Sequence, residues 1–416
     1  MPRARPSPPR ASPPAAAVAE EHPLADLPAD LEAAWAALAA ASAPGSGAFF
    51  ASPQFLRSFA ASFGADSSLS VLLVRDAAGV LIAACPLARA RVRRGPTLNT
   101  RYLYRPGDAP LVAGAGRRGL FGFRQLSSPL GLEATALRTE IAALPGRRAE
   151  AMAAIARALP GLPGWTIGVL VLDAADADLL AGAGLDGVVA PLGRVFRSCS
   201  DVRSAEAAIA AQEKKFRQNM RRAEKFAGEA GIRFAVHEGP GGLDALRARI
   251  ADLAGRSWKG TPDRGRARGE SVLIAHTAAQ QRFLADLAAR PGIDTVLFTA
   301  ERGDRLEAAL VCQSCGPDLV AILLFVDADA GRLSLGWLLI HRAFDHAART
   351  GFRLIDLNAT SAWIDRYADT RSLRANFIFA APTLRARALL GLARLALAGA
   401  ARLQRPAPPP PAAPDP

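Results

Sequence analysis

The sequence is poor in the residues that most often announce chemistry. Of its 416 residues only four are cysteine, five histidine and three tyrosine. Four cysteines cannot staple a chain of this length, so a disulfide framework is excluded and a reducing cytoplasm is the expected compartment. Cys85 and Cys199 have no partner pattern around them. Cys312 and Cys315 form a Cys-x-x-Cys pair, but a zinc site needs two more ligands at comparable spacing. A redox pair should open a helix, whereas this one precedes Gly316-Pro317-Asp318. Both cysteines therefore read as small buried apolar residues, and no metal is expected. Long hydrophobic runs are missing as well. No stretch reaches the roughly 18 apolar residues of a membrane span; Val169–Leu172 and Leu319–Val326 are strand-sized. Lysine is scarce too. Among 51 basic residues only Lys214, Lys215, Lys225 and Lys259 are lysine, the rest being arginine. With so much alanine, that skew reads as compositional drift. The net charge of +13 then points to anionic partners only where cations cluster.

What is present describes a folded chain. Half of the residues are apolar and 21% are charged, which excludes global disorder. The length suits two domains of about 100–200 residues each. Residues 1–20 start as an Arg/Pro/Ala/Ser-rich leader without the apolar stretch of a secretory signal, so they are expected to be disordered. The expected division is 21–195, 196–385, and a basic amphipathic segment with a Pro/Ala tail at 386–416.

Apolar patterning predicts alternating helices and strands in both parts. In the first, Ala25–Ala41 reads as a helix, and Ser52 caps a second one with Pro53 at its first position. Leu69–Arg75 and Val80–Leu87 form a hairpin around Asp76-Ala77-Ala78-Gly79. A helix at Arg148–Leu159 and a strand at Trp165–Leu172 follow. In the second, Ser204–Glu229 reads as one long helix. Ile209, Phe216, Met220, Ala223 and Ala227 share its apolar stripe, with Lys214, Arg217, Arg221 and Lys225 nearly opposite. Such a basic stripe is a solvated face or a field for an anionic partner. Strands at Ile232–His237, Thr295–Ala300, Arg305–Gln313 and Leu319–Val326 then precede a helix at Trp337–Thr350 and a strand at Phe352–Leu357. The order is that of a layered α/β domain. The helix between Leu319–Val326 and Phe352–Leu357 requires these two strands to run parallel, and they are expected to splay apart.

Gly331-Arg332-Leu333-Ser334-Leu335-Gly336 joins a strand to a helix. Free amides at a helix N-terminus and the helix dipole favour an anion there. Glycine lets a ligand approach the backbone, and Arg332 adds charge. In this context the unit resembles the pyrophosphate loop of GNAT acyltransferases. The resemblance widens through Lys-Lys-Phe-Arg-Gln-Asn-Met-Arg-Arg (214–222), Gly231-Ile232-Arg233-Phe234, Ser257-Trp258-Lys259-Gly260, Leu333–Leu339 and Asp356-Leu357-Asn358. In their order these segments resemble the CelD-like acyltransferases associated with bacterial cellulose biosynthesis, a GNAT branch near the FemAB-type transferases. Phe49–Pro53 and Ala84–Leu87 echo its opening region, and the resemblance covers about residues 45–385.

The resemblance implies an α/β protein of tandem GNAT-like domains, each a mixed sheet flanked by helices. It implies acetyl-CoA or another acyl-CoA as co-substrate, held by Gly331, Arg332, Leu333, Ser334, Leu335 and Gly336. The acceptor would be an amine or hydroxyl on a cell-envelope or exopolysaccharide precursor. Where family members often carry a Tyr-Lys pair, this chain reads Trp363-Ile364-Asp365-Arg366-Tyr367. Direct transfer needs a base and an acid. Asp356 is the candidate base, or else a strand-end ion pair; Tyr367 is the candidate acid, or else a core aromatic. Arg217, Arg221, Trp258, Lys259 and Arg366 are candidate acceptor-binding residues. His341, one turn after Trp337, reads as a packed core histidine. Two other readings stand beside this one. The basic helix suits aminoacyl transfer from charged tRNA, as in FemAB-like enzymes, and the imperfect loop suits a non-catalytic scaffold. Leu384–Leu403, with Arg385, Arg387, Arg394 and Arg402, either packs on the domain or lies on an anionic membrane.

Overall fold

The structure, a computed structural model, describes residues 17–42, 48–63, 68–92, 123–128, 140–199, 202–257, 278–359 and 362–403. Trp258 and Lys259 lie outside the described residues, as does the Gly/Arg-rich stretch that follows them. In chain order the strands are β1 (Val18–Pro23), β2 (Ser68–Arg75), β3 (Leu81–Val92), β4 (Phe123–Ser127), β5 (Ala142–Ala143), β6 (Ile167–Asp173), β7 (Gly187–Cys199), β8 (Arg233–Glu238), β9 (Asp294–Arg302), β10 (Arg305–Ser314), β11 (Asp318–Val326), β12 (Leu354–Ala359) and β13 (Thr370–Ala380). The helices are α1 (Ala29–Ala41), α2 (Pro53–Phe63), α3 (Arg148–Ala158), α4 (Ala174–Gly182), α5 (Ala205–Ala210), α6 (Lys214–Glu229), α7 (Pro240–Arg256), α8 (Ala278–Ala288), α9 (Leu335–Thr350) and α10 (Leu384–Leu403).

The thirteen strands among the described residues join one mixed sheet, in the order β1-β2-β3-β4-β6-β13-β7-β12-β11-β10-β9-β8, with β5 on β3. The order is symmetric about the β13–β7 pair. On each side a parallel step, β4–β6 or β11–β12, lies inside a run of antiparallel pairs. The halves exchange strands: β13 of the second pairs with β6 of the first, and β7 of the first pairs with β12 of the second. The two expected sheets are therefore one. Two glycines make room for the exchanged strand. A Cβ on Gly168 would sit 2.1 Å from Phe379 Cζ, and one on Gly187 would sit 2.6 Å from Phe377 Cζ.

The expected boundary at 195/196 falls inside β7, and the one at 385/386 falls inside α10. The expected leader overlaps β1, which starts at Val18. The helix expected over Ser204–Glu229 is two helices. Arg217 Nη1 donates to the carbonyls of Ala210 (3.4 Å) and Gln212 (2.5 Å). Glu213, extended at ψ 149°, starts the second helix.

On one face of the sheet, α1, α2, α7 and α8 share a single core across both halves. Phe55 of α2 meets Phe283 of α8 edge-on at 5.5 Å. On the opposite face, α3 and α4 cover the first half through Met152, Ile155 and Leu180. There α6 and α9 cover the second half through Phe216, Met220, Leu338 and Phe344. Helix α10 lies on the α1/α7 face, over Ile167, Val169, Ala190 and Ile378. Strand alternation separates these residues from Leu170, Phe377 and Phe379 on the other side. Ser52 does cap α2, accepting from Phe55 N at 3.2 Å. The hairpin turn ends in Gly79 at φ 81°.

Candidate active site

β11 and β12 pair in parallel over Asp318–Val320 and Leu354–Asp356. Beyond these three positions no pairing joins them among the described residues, so a cleft opens toward the end of β11. A bulge shapes its wall: β10 aligns Val311 with Leu323 but Cys312 with Ala321, leaving Ile322 as the extra residue.

The turn after β11 is anchored by Asp327, which is 1% exposed. Its Oδ2 accepts from Arg256 and, at 2.5 Å, from Arg305; its Oδ1 accepts from Asp329 N at 2.9 Å. A backbone bridge joins Asp327 to Ser257, the last described residue after α7. Residues Ala328–Leu333 then form a 3-10 turn and α9 begins at Leu335. The expected Gly331–Gly336 loop is therefore mostly helical. Gly331 and Arg332 are exposed, whereas the Leu335 side chain is core. Gly336 packs against β11, where a Cβ would lie 3.4 Å from Val326 Cγ2.

What remains open is the N-terminus of α9. Ser334 holds a left-handed backbone, φ 53°, and its side chain makes no cap bond. For a non-glycine residue this conformation is strained. The N–H groups of Trp337 and Leu338 both donate to the Ser334 carbonyl, at 3.0 and 3.3 Å. Those of Leu335 and Gly336, first in the helix, have no intrahelical acceptor. Arg366 stands beside this turn, its guanidinium 4.3 Å from the Phe216 ring centre and 5.4 Å from that of Trp337.

Tyr367 is buried among Phe216, Trp337 and Phe344 on the α9 side of the sheet. Its Oη lies 2.5 Å from His341 Nε2, while His341 Nδ1 is buried without a partner. Burial, aided by the adjacent Arg342 charge, pushes the His341 imidazole down to about 4. Burial likewise pushes the Tyr367 phenol up. Both groups are thus neutral at pH 7. His341 is core as expected, but its pairing with a phenol 26 residues away had no signal in the sequence.

Asp356 is 2% exposed and accepts from Asn358 N at 2.8 Å. Asn358 itself takes φ 43° at an irregularity in β12. Ile355 and Leu357 face α9, so Asp356 points to the opposite side, that of α7. The structure does not bring the two candidate catalytic groups together; they flank the strand from its two faces. Of the basic residues, Arg217 is committed to the end of α5, while Arg221 is exposed.

The matching cleft in the first half is closed. There β4 and β6 also pair over three residues, Gln125–Ser127 with Ile167–Val169. Ser128 Oγ then accepts from Val171 N at 3.1 Å. The Val171 carbonyl accepts from Arg374 Nη2 at 3.2 Å, and Arg374 Nη1 donates to Glu140 Oε1 at 2.8 Å. The backbone edge is satisfied by the chain's own side chains, and the ion pair is 0% and 3% exposed.

Residues 214–401 match the family model described as an acetyltransferase (GNAT) domain. The segment from α6 to α10 is a GNAT-type acetyltransferase domain, and the protein is an acyltransferase. Among solved structures, FemX is similar at 9% identity over 90% of this chain and 99% of its own, with a TM-score of 0.54. A tandem GNAT protein from the clavulanic acid biosynthesis pathway matches at 13% identity over 88% and 99%, with a TM-score of 0.47. The C-terminal domain of a putative lysylphosphatidylglycerol synthetase from Agrobacterium fabrum matches at 10% over 88% and 96%, with a TM-score of 0.46. At these identities a likeness speaks for the fold alone. No curated protein matches the chain.

Proposed function

We propose that the protein is an acyl-CoA-dependent N- or O-acyltransferase acting on a cell-envelope or exopolysaccharide precursor from the cytoplasmic side, as its resemblance to CelD-like enzymes implies. One observation carries the cofactor half of this reading: the uncapped N-terminus of α9, in left-handed Ser334, at the mouth of the cleft between β11 and β12. The CoA phosphates would take the N–H groups of Leu335 and Gly336, with Gly331 leaving room and Arg332 and Arg366 supplying charge. The acyl arm would lie along the unpaired edge of β11. The acceptor would enter from the Asp356 face and give its proton to that carboxylate as its nitrogen or oxygen bonds the acyl carbon. The carbon–sulfur bond then breaks and the leaving thiolate takes a proton from Tyr367.

Calorimetry with acetyl-CoA and longer acyl-CoAs tests this reading. The expected result is one site per chain, with Arg366→Ala weakening binding about tenfold, the worth of one charge-assisted contact. A folded parent protein that binds no acyl-CoA would refute it. The exposed cations of α6, Lys214, Arg221 and Arg222, support a second reading, FemAB-like transfer from charged tRNA. Salt-dependent tRNA binding without CoA binding is its signature. The acid-free C-terminal segment supports an anionic membrane as a further partner.

A further inference from the structure

Helix α10 has two apolar faces, and the sheet covers one. Ala386, Leu390 and Ala393 are at most 2% exposed, and Leu390 packs on Ile167, Val169, Ala190 and Ile378 of β6, β7 and β13. At about 100° per residue, Leu384, Ala388, Leu392 and Leu395 fall in a sector roughly 80° wide on the other side. Leu384 is 87% exposed, Leu392 56% and Leu395 72%, three of the eight large apolar side chains exposed among the described residues. The same geometry puts Arg385 on one shoulder of this crest and Arg387 and Arg394 on the other. The sequence contains no Asp or Glu from Thr370 to Pro414.

We propose that this outer face of α10 docks in the plane of an anionic lipid surface, with Leu384, Leu392 and Leu395 in the acyl boundary and the exposed Arg387 among the headgroups. Charge decides the occupant. A second copy would press arginine shoulders against arginine shoulders with no carboxylate on either helix. The nearby Asp186 is already taken by Arg394 at 2.5 Å. An anionic surface meets both the crest and its shoulders. The placement also bears on the acceptor, and here the inference rests on the function proposed above. Asp356 pairs in register with Ser198, which shares its side of β7 with Ala190 beneath α10. The candidate base therefore stands on the membrane-facing side of the sheet, two strands from β13. A lipid-linked acceptor would reach it without leaving the surface.

The test is co-sedimentation of the full chain with phosphatidylcholine vesicles, with and without phosphatidylglycerol, alongside calorimetry with acetyl-CoA. The parent protein should pellet with the phosphatidylglycerol vesicles and be released by salt. Leu392→Gln with Leu395→Gln, both exposed sites on good helix formers, should lower vesicle affinity tenfold or more while acetyl-CoA affinity stays unchanged. Absence of binding at low salt, or equal binding by parent and double variant, would overturn the proposal. So would a parent dimer that the double variant converts to a monomer. Failure of acetyl-CoA binding with intact vesicle binding would instead count against the acyltransferase reading and leave the lipid-docking face standing.

Discussion

The buried pair Arg374–Glu140 offers a severe test of the idea that the first-half cleft is sealed. Replacing Arg374 by Met removes the 2.8 Å bond to Glu140 and the 3.2 Å bond to the Val171 carbonyl. It takes the Arg374 cation away from a carboxylate that is 2% exposed. Breaking such a pair from one side costs about 3–5 kcal/mol. Replacing both partners, Arg374→Met with Glu140→Leu, removes the buried carboxylate too and should return stability to within about 1.5 kcal/mol of the parent, as volume-conserving apolar swaps do. Urea unfolding measures this through the midpoint at unchanged slope. Both halves should report one transition, because they share a sheet. A double variant as unstable as the single one would refute the reasoning, since the cost would then lie in lost packing rather than in a desolvated charge.

Two further outcomes follow from local geometry. His341 is neutral in the folded chain down to about pH 4 but titrates near 6.5 when unfolded. Between these values the unfolded state binds the extra proton, so stability falls as pH drops from 6.5 to 4, by about 3 kcal/mol from this residue. In unfolding titrations His341→Gln should flatten that slope relative to the parent, and an unchanged slope would remove His341 as its source. Gly168→Ala should force a methyl into the Phe379 ring and lower stability by about 1–3 kcal/mol; calorimetric melting should show Phe379→Leu giving part of this back, and a neutral Ala variant would contradict the packing.

Local rules made many elements readable. The Ser52 cap, the Gly79 turn and four residues of the apolar stripe, Phe216, Met220, Ala223 and Ala227, stand where spacing put them, whereas Ile209 falls on the separate helix α5. The parallel, parting strands β11 and β12 followed from the helix between them. The strand exchange was not readable, because strand pairing is a non-local choice that the residues of β13 do not announce. Its only local traces are Gly168 and Gly187, which look like ordinary weak strand positions until Phe377 and Phe379 are set over them. The break in the basic helix escaped for a similar reason. Nothing in Gln212-Glu213 forbids helix, and the stop comes from a bond made by Arg217 one turn later. At the site, residues close in sequence were found and partners far apart were missed. Arg366 and Trp337 were singled out separately, and so were Tyr367 and His341, but contacts spanning 29 and 26 residues have no periodic signature.

The two halves repeat one topology and put it to different uses. Each splits its parallel step after three paired positions. In the first, Ser128, Arg374 and Glu140 close the edge that the split exposes. Arg374 reaches it only because β13 comes from the second half. The exchange therefore does two things at once: it joins the halves in one sheet and brings Arg374 to the open edge of the first. In the second half β7 arrives in the corresponding place, and the split is followed by an uncapped helix, a left-handed serine and a stacked arginine. A buried charge pair is a costly way to hold a strand edge. Its presence in one half and the open helix end in the other leave the acyl-CoA site proposed above to the second half alone.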